Sequence, residues 1–431
     1  MYIALAILAF GFIIAIHELG HYLAAKALNV KVNEFAIGMG PKLIKKQGKE
    51  TLYTLRALPF GGFCALEGQD EESEHPDPRS FLSQKRWRRI VILSAGSAAN
   101  FITAFIIIFI LTAGESDFMG TKLTEVDENM PRIGSVELMP GDRLVAINGE
   151  RLFYFDDYVL FMRLNAGKQI SLTIDRNGER IETVTGADDL NSRSTTILSV
   201  HDQFPEEGPS ELMPGDRIVA INGEYVYSYD DYRRIVESRD ADDEPVVLTL
   251  DRNGETVIYQ SRPYERDGAE HFRYSFSFRP GIAFETLQPT ILEKLNYSIY
   301  QTYNFMRLIR ISIAMMISGA ASVQDIAGPV GIVSAMNTIG QQAPTTLAAI
   351  GNIVFFTAFI GVNVAVINML PIPAMDGGRI LFIFITWIIE KLTRKRLDPK
   401  YEGYINTGAF ILLICLMVVI LYNDVMKIIG G

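Results

Sequence analysis

Four long apolar stretches limit what this chain of 431 residues can become: Tyr2–Leu23, Ile90–Ala113, Leu347–Ile389 and Gly408–Tyr422, the last reaching back toward Tyr404. A helix that crosses a bilayer needs about 20 predominantly apolar residues. The third stretch is too long for one straight span. Pro371, Pro373 and Asp376–Gly377–Gly378 interrupt it, so it reads as one discontinuous helix. The first stretch has the position of a signal peptide but not its grammar. It lacks a basic leading segment, and His17, Glu18 and His21 sit where an apolar core belongs.

Charge orients these stretches. Residues 114–285 hold 34 acidic and 18 basic side chains, whereas the rest of the chain holds 16 and 22. An acidic block of this kind is not a nucleic-acid surface. The segment 26–89 carries twelve basic residues, ending in Lys85–Arg86–Trp87–Arg88–Arg89, and a second basic run follows at 391–396. The positive-inside rule places both in the cytoplasm and puts the acidic block and both termini on the other side. Four spans give the same parity. Leu295–Gly319 carries Arg307 and Arg310 near its middle. A fifth span there would separate the two basic loops, so it reads as an amphipathic helix on the outer membrane surface. Two cysteines, Cys64 and Cys415, exclude a disulfide scaffold and a cysteine-built metal site.

The acidic block repeats itself. Leu138–Met–Pro–Gly–Asp–Arg–Leu–Val–Ala–Ile–Asn–Gly–Glu150 returns 74 residues later as Leu212–Met–Pro–Gly–Asp–Arg–Ile–Val–Ala–Ile–Asn–Gly–Glu224. Asp175–Arg–Asn–Gly–Glu179 returns as Asp251–Arg–Asn–Gly–Glu255. Each copy predicts a Pro-Gly-Asp turn, a short buried strand, an Asn-Gly turn, a helix near Tyr158 or Tyr232, and a hairpin closed by Arg-Asn-Gly. This pattern resembles PDZ domains, which bind extended peptides by strand addition. Glu137 and Glu211 stand where that family carries glycine, and no carboxylate-binding loop is evident. Peptide capture and a folded spacer or gate both remain open.

The chemistry sits in the first stretch. His17–Glu18–Leu19–Gly20–His21 places two imidazoles four residues apart, on one face of a helix, with a carboxylate beside them. Ionisable groups at bilayer depth each cost about 2–3 kcal/mol. A shared metal ion relieves that cost; a polar bundle interior is the alternative. Zinc suits imidazole and carboxylate ligands, and a catalytic site keeps three of them with one position open. The best third ligand is Asp376, the one acidic residue between Asp325 and Glu390. The Pro371 and Pro373 break around it frees backbone groups that can bind a peptide.

H-E-x-x-H in the first span, with Asn368–Met–Leu–Pro–Ile–Pro–Ala–Met–Asp–Gly–Gly378 in a later one, resembles the site-2 protease family of intramembrane zinc metalloproteases. Tandem PDZ-like domains between spans two and three resemble its regulator-of-sigma-E subgroup. Gly38–Met–Gly40, Pro59–Phe–Gly–Gly–Phe63 and Gly328–Pro–Val–Gly–Ile332 also match. The resemblance implies that His17, His21 and Asp376 hold Zn2+ and that Glu18 is general base and acid. It implies that Asn368 holds the substrate backbone, unless its amide serves only a helix–helix hydrogen bond. It further implies that a membrane-dipping sheet containing Gly38, Gly40, Gly61 and Gly62 clamps an unwound substrate, unless this segment is a plain cytoplasmic hairpin. Thr51–Leu58 and Phe63–Leu66 read as its short strands, joined by residues 59–62.

The expected fold is a polytopic α-helical membrane protein with four spans, one discontinuous, a membrane-dipping β region and two tandem PDZ-like α+β domains. Its expected order is a first span at 1–25, a cytoplasmic region at 26–89, a second span at 90–113 and repeat domains at 114–198 and 199–280. Interfacial helices at 281–345, the discontinuous span at 346–391, a loop at 392–403 and a last span at 404–427 complete it. The implied setting is the bacterial inner membrane, with the repeats and both termini periplasmic. The implied partners are single-pass membrane proteins, an anti-sigma factor or remnant signal peptides among them, an upstream site-1 type protease that trims them, and membrane lipid. Two rivals are a membrane-anchored PDZ scaffold without proteolysis and a metalloprotease of soluble peptides.

Overall fold

The computed structural model describes residues 2–69, 77–127, 132–190, 193–200, 212–226, 229–237, 246–261, 276–319, 328–394 and 400–430. They divide into two compact units, Met1–Glu115 with Thr290–Gly431, and Ser116–Pro289. The first unit begins with α1 (Tyr2–Ala27), β1 (Val32–Gln47), β2 (Leu52–Leu66) and α2 (Arg86–Ala113). The second contains β3 (Phe118–Val126), β4 (Arg143–Ile147), β5 (Glu150–Arg151), α3 (Phe155–Leu164), β6 (Gln169–Arg176), β7 (Glu179–Gly186), α4 (Ala187–Leu190) and β8 (Arg193–Val200). It continues with β9 (Arg217–Ile221), β10 (Glu224–Tyr225), α5 (Tyr229–Glu237), β11 (Val246–Arg252), β12 (Glu255–Ser261), β13 (Phe276–Pro280) and β14 (Ile282–Leu287). The chain then returns to the first unit as α6 (Ile291–Ile317), α7 (Pro329–Gln342), α8 (Thr346–Met369), α9 (Asp376–Thr393) and α10 (Lys400–Gly430).

Among the described residues, four helical segments are long and apolar enough to cross a membrane: α1, α2, α8 and residues Gly403–Asp424 of α10. The chain is a polytopic membrane protein with a β region. The stretch Leu347–Ile389 forms two helices, α8 and α9, separated by residues 370–375. Small residues let the central helices approach closely. A Cβ on Gly20 would lie 2.3 Å from the Ala95 carbonyl oxygen of α2, and one on Gly361 of α8 would lie 3.6 Å from Ala104 Cβ. Helix α7 packs with α1 and α8 around Ile13, Met336, Ile353 and Ile360. Its N-terminus donates the Gly328 and Gly331 amides to Asp424 of α10, at 3.2 and 2.8 Å. The carboxylate sits where the helix dipole favours negative charge.

The segment expected to form an amphipathic surface helix packs its polar face against two candidate spans. Lys294 at the start of α6 donates to the Ala113 carbonyl at the end of α2. Eleven residues on, Phe305 packs against Ala104 and Ile108 of α2 and Ala358 and Val362 of α8. The helix therefore runs lengthwise along two candidate spans, antiparallel to α2. The reason is compositional: its charged residues are few, and its buried face carries Ser298, Gln301, Thr302, Asn304 and Arg307. These polar groups face neighbouring helices instead of requiring a water-exposed side.

The β region also differs from two short strands joined at 59–62. β2 is continuous through that segment, and β1 folds back beside it. Residues 34–37 pair with 52–55 on one side and with 62–65 on the other, while 42–47 pair with 52–56. Gly38 and Gly61 supply the bends at φ +84° and +86°, a region that side chains with a Cβ rarely enter. Residues 62–66 form one rim of this curled sheet.

In the second unit the repeat folds as its sequence predicts, but the boundaries differ. One sheet has the order β14-β3-β4-β6-β7 and the other β12-β11-β9-β8-β13. The first module is thus completed by β14, which lies after the second module in sequence. Tandem domains at 114–198 and 199–280 give way to a nested arrangement: β8 belongs to the second module and β14 to the first. Phe284 of β14 packs 4.9 Å from both Phe155 and Tyr158 of α3, which anchors the returning strand. The Pro-Gly-Asp turn is explained by its aspartate. Asp142, 1% exposed, accepts from the Met139 amide at 2.9 Å and from Arg176 at 2.7 and 2.8 Å. Asp216 and Arg252 repeat the pair at 2.7 and 2.8 Å. Burial alone would raise the Asp142 carboxyl, but Arg176 and the Met139 amide outweigh it and hold it below the ordinary carboxylate value. The linker between the copies at 201–211, the segment 320–327 of the expected interfacial region and the basic run at 395–399 lie outside the described residues.

Candidate metal centre

Helix α1 sets His17 and His21 one turn apart, with their rings edge to face at 4.7 Å between centroids. Both are buried, and their Nε2 atoms lie 3.1 Å apart. Asp376 Oδ2 stands 3.2 Å from each of them. The three atoms form a nearly equilateral triangle. Zinc–nitrogen and zinc–oxygen bonds of about 2.0–2.1 Å at tetrahedral angles place ligand atoms about 3.3 Å apart. The triangle therefore fits a zinc ion with the fourth position open. Two further observations favour a cation. His21 Nδ1 lies 2.8 Å from the Ile92 carbonyl. A carbonyl can only accept, so Nδ1 carries the proton and Nε2 presents its lone pair to the triangle. Asp376 Oδ2 is buried and has no hydrogen-bond donor among the described residues. A lone pair and an undonated carboxylate oxygen aimed at one point are what an ion would satisfy.

Local sequence explains how Asp376 reaches that point. It opens α9, whose positive end stabilises a carboxylate. The preceding loop closes over the first turn of α9. A Cβ on Gly377 would lie 2.3 Å from the Met369 carbonyl oxygen, and one on Gly378 would lie 2.1 Å from that of Ile372. The two glycines provide clearance, not flexibility. Ala374 adopts φ +73° without being glycine, a strained conformation at the cavity wall.

A cavity of about 360 Å³ opens onto the triangle. Glu18, Phe63, Cys64, Asn368, Met375 and Arg379 are among its lining residues. Glu18 projects between α1 and the rim of the sheet. The backbone amide of Cys64 faces its carboxylate, and a Cβ on Gly62 would touch its Cγ at 3.4 Å. A carboxylate beside three converging ligand atoms can accept a proton from water and donate it onward.

The structure gathers His17, Glu18, His21, Asn368 and Asp376 at one cavity. The Asn368 amide nitrogen lies 3.5 Å from His17 Nε2. Gly62 joins them through Glu18. Gly38, Gly40 and Gly61 do not line the cavity; they shape the bends of the sheet, where Gly38 lies under the Leu58 carbonyl and Gly61 against Met39. Pro371 and Pro373 do not line it either. They build the loop between α8 and α9, and Pro373 backs Gly378. Sequence reasoning missed the wall formed by Ile92 and Leu93 of α2, and it missed Arg379. The signals were a run of small residues, Ser94–Ala–Gly–Ser–Ala–Ala99, within an apolar stretch, and a cation directly after Asp376–Gly377–Gly378.

Comparison with known proteins agrees with this geometry. Residues 5–416 match the model of peptidase family M50. A Clostridium acetobutylicum protein described as a candidate zinc metalloprotease is 31% identical over 98% of this chain and 97% of its own length. The zinc metalloprotease RasP of Geobacillus kaustophilus is 26% identical over 98% and 97%. A Campylobacter jejuni relative, also described as a candidate zinc metalloprotease, is 27% identical over 98% and 93%.

Proposed function

The chain belongs to peptidase family M50, the site-2 protease type of zinc metalloendopeptidase, and from that premise we propose that it cleaves single-pass membrane proteins within or near their spans. The observation that carries this reading is the triangle of His17, His21 and Asp376 beside Glu18, with His17, Glu18 and His21 on a helix apolar enough to cross a membrane. In this reading those three residues hold the ion. Zinc, when bound, supplies Lewis-acid polarisation and lowers the pKa of water to about 7.

The remaining work falls to the chain. Glu18 takes a proton from the attacking water and returns it to the leaving amine. Asn368, beside His17 in the cavity wall, orients the substrate backbone. A helical substrate hides its carbonyls in i→i−4 hydrogen bonds and must unwind before attack. The rim strand at 62–66 offers replacement bonds by strand addition. The break at 370–375 lets α8 and α9 act as one discontinuous third span that delivers Asp376 to membrane depth, where irregular backbone needs protein around it.

The two modules of the second unit are read as PDZ-like. They face the periplasmic side of the inner membrane and act as a size filter, so that substrates trimmed by an upstream protease enter. An anti-sigma factor of envelope-stress signalling is one such substrate, and remnant signal peptides are another. The nested topology changes the experiment for this filter. Deleting residues 191–281 removes the second module while keeping β14 available to pair with β3. The filter reading expects untrimmed substrates to be cut by that variant.

Glu18→Gln tests the core of the proposal. The expected result is loss of cleavage by about 10²–10⁴-fold with zinc still bound. Unchanged function in that variant would favour a membrane scaffold. A purified enzyme that cuts soluble peptides as well as anchored ones would favour a protease of the membrane face.

A further inference from the structure

The metal-site reading above leaves one wall without a role, the face of α2 against the two imidazoles. Gly96 lies there. A Cβ built on it would stand 2.4 Å from His21 Nε2, 2.7 Å from His21 Cε1 and 2.8 Å from His17 Cε1. All three distances are shorter than real Cβ contacts, so any side chain at 96 must push the imidazoles. One helical turn earlier, the Ile92 carbonyl accepts the proton of His21 Nδ1 at 2.8 Å. In an α-helix that same carbonyl also accepts the amide of the residue four positions on, which is Gly96. The acceptor that orients the ring and the clearance that admits it thus belong to one turn of α2. Gly20, between the two histidines, completes the seam by meeting Ala95 and Ala99 on the same stretch.

We propose that Gly96 is a positioning residue for the metal centre: its missing side chain sets the separation of the His17 and His21 nitrogens and thereby fits the site to an ion of zinc's size. This rests on the assignment of His17, His21 and Asp376 as ligands. Backbone freedom does not explain the glycine, which sits inside the regular helix α2. A glycine in a helix interior destabilises the helix relative to alanine. Here that cost is offset by access of two ligands to the same point. A methyl group at 96 would lengthen the bond from His21 to Ile92 and widen the ligand triangle. A wider triangle suits an ion with longer bonds.

The test compares zinc and cadmium binding to the full chain in detergent for the unaltered protein, Gly96→Ala and Gly361→Ala, with the absorption spectrum of the cobalt-loaded forms. Gly361 also faces α2, but a Cβ there meets Ala104 at an ordinary 3.6 Å. Outer groups that orient metal ligands typically contribute 10–100-fold in affinity. Gly96→Ala is expected to weaken zinc by about that factor, weaken cadmium less, and shift the cobalt bands, while Gly361→Ala matches the unaltered protein. General loosening of the fold would weaken both ions alike and leave their ratio unchanged, which would overturn the proposal. So would an unchanged zinc affinity in Gly96→Ala. Should the single variant fail to fold, Gly96→Ala with Ala99→Gly reopens the helix seam and keeps the methyl group against the imidazoles; the same shift in ratio is expected of it. If the unaltered protein binds neither zinc nor cobalt, the ligand assignment itself falls, a result distinct from failure of the role of Gly96.

Discussion

Asp142 in the second unit is buried and Asp376 in the first is half-buried with its Oδ2 enclosed, and their surroundings are opposites. Asp142 receives two N–H groups from Arg176 and one from Met139. Asp376 Oδ2 faces two imidazole nitrogens at 3.2 Å and has no hydrogen-bond donor among the described residues. The first carboxylate is finished by the chain and the second is not. One glycine beside each carboxylate shows the same contrast. Gly141 has φ +98° and nothing within 4 Å of an added Cβ, so it serves a turn. Gly377 has crowded neighbours at 2.3 Å and serves clearance. A saturated carboxylate beside an open turn marks a place built for stability. An unfinished carboxylate beside a crowded glycine marks one built to receive something.

The comparison can be broken by substitution. Asp376→Ala is expected to lower zinc affinity by at least about 100-fold, read by competition with a chromophoric chelator, while the melting temperature of the metal-free protein stays level or rises. A fall in metal-free stability would mean that Asp376 has protein partners like those of Asp142. Asp142→Ala should do the reverse. It leaves the Arg176 guanidinium with the Glu137 carbonyl alone and the Met139 amide without its carboxylate, costing the second unit about 2–3 kcal/mol in denaturant unfolding, with zinc affinity unchanged. Gly377→Ala should then cost about 1–3 kcal/mol through overpacking and reduce zinc occupancy, because the Met369 carbonyl blocks the added methyl group.

Acid sharpens the contrast further. Because the folded Asp142 carboxyl is held below its ordinary value, its contribution is present above about pH 4 and is lost as pH falls through the lower folded value. Hydrogen exchange of β4 and β6 should therefore accelerate below about pH 4 in the unaltered protein. The acid-dependent part of that acceleration should be smaller in Asp142→Asn. The smallest effect is expected at Gly141→Ala, about 1 kcal/mol from its left-handed backbone alone, seen as a shift in the second unit's unfolding midpoint.

Legibility in the sequence followed the same division. The spans were readable because twenty apolar residues have few uses, and the H-E-x-x-H spacing was readable because a helix brings residues four apart together. The repeat was readable because its turns are local: Asn148 and Asn222 take φ +52° and +48° at the Asn-Gly positions. Nesting of the modules was not readable, since β14 pairs with β3 across some 160 intervening residues and no local signal records it. The path of α6 was missed because its buried polar face looks amphipathic whether it meets water or other helices. Gly96 was missed because a glycine kept for clearance looks like any small residue of a helix seam until the facing imidazoles are seen.

The zinc site proposed for this chain stands on His17, His21 and Asp376 holding the ion together. Zinc-edge X-ray absorption on the purified full chain and on Asp376→Ala tests it most directly. The expected result is one zinc ion per chain with nitrogen and oxygen neighbours at about 2.0–2.1 Å, no sulfur, and loss of the ion or of one oxygen neighbour in the variant. A sulfur neighbour at about 2.3 Å, or a spectrum that Asp376→Ala leaves unchanged, would contradict it.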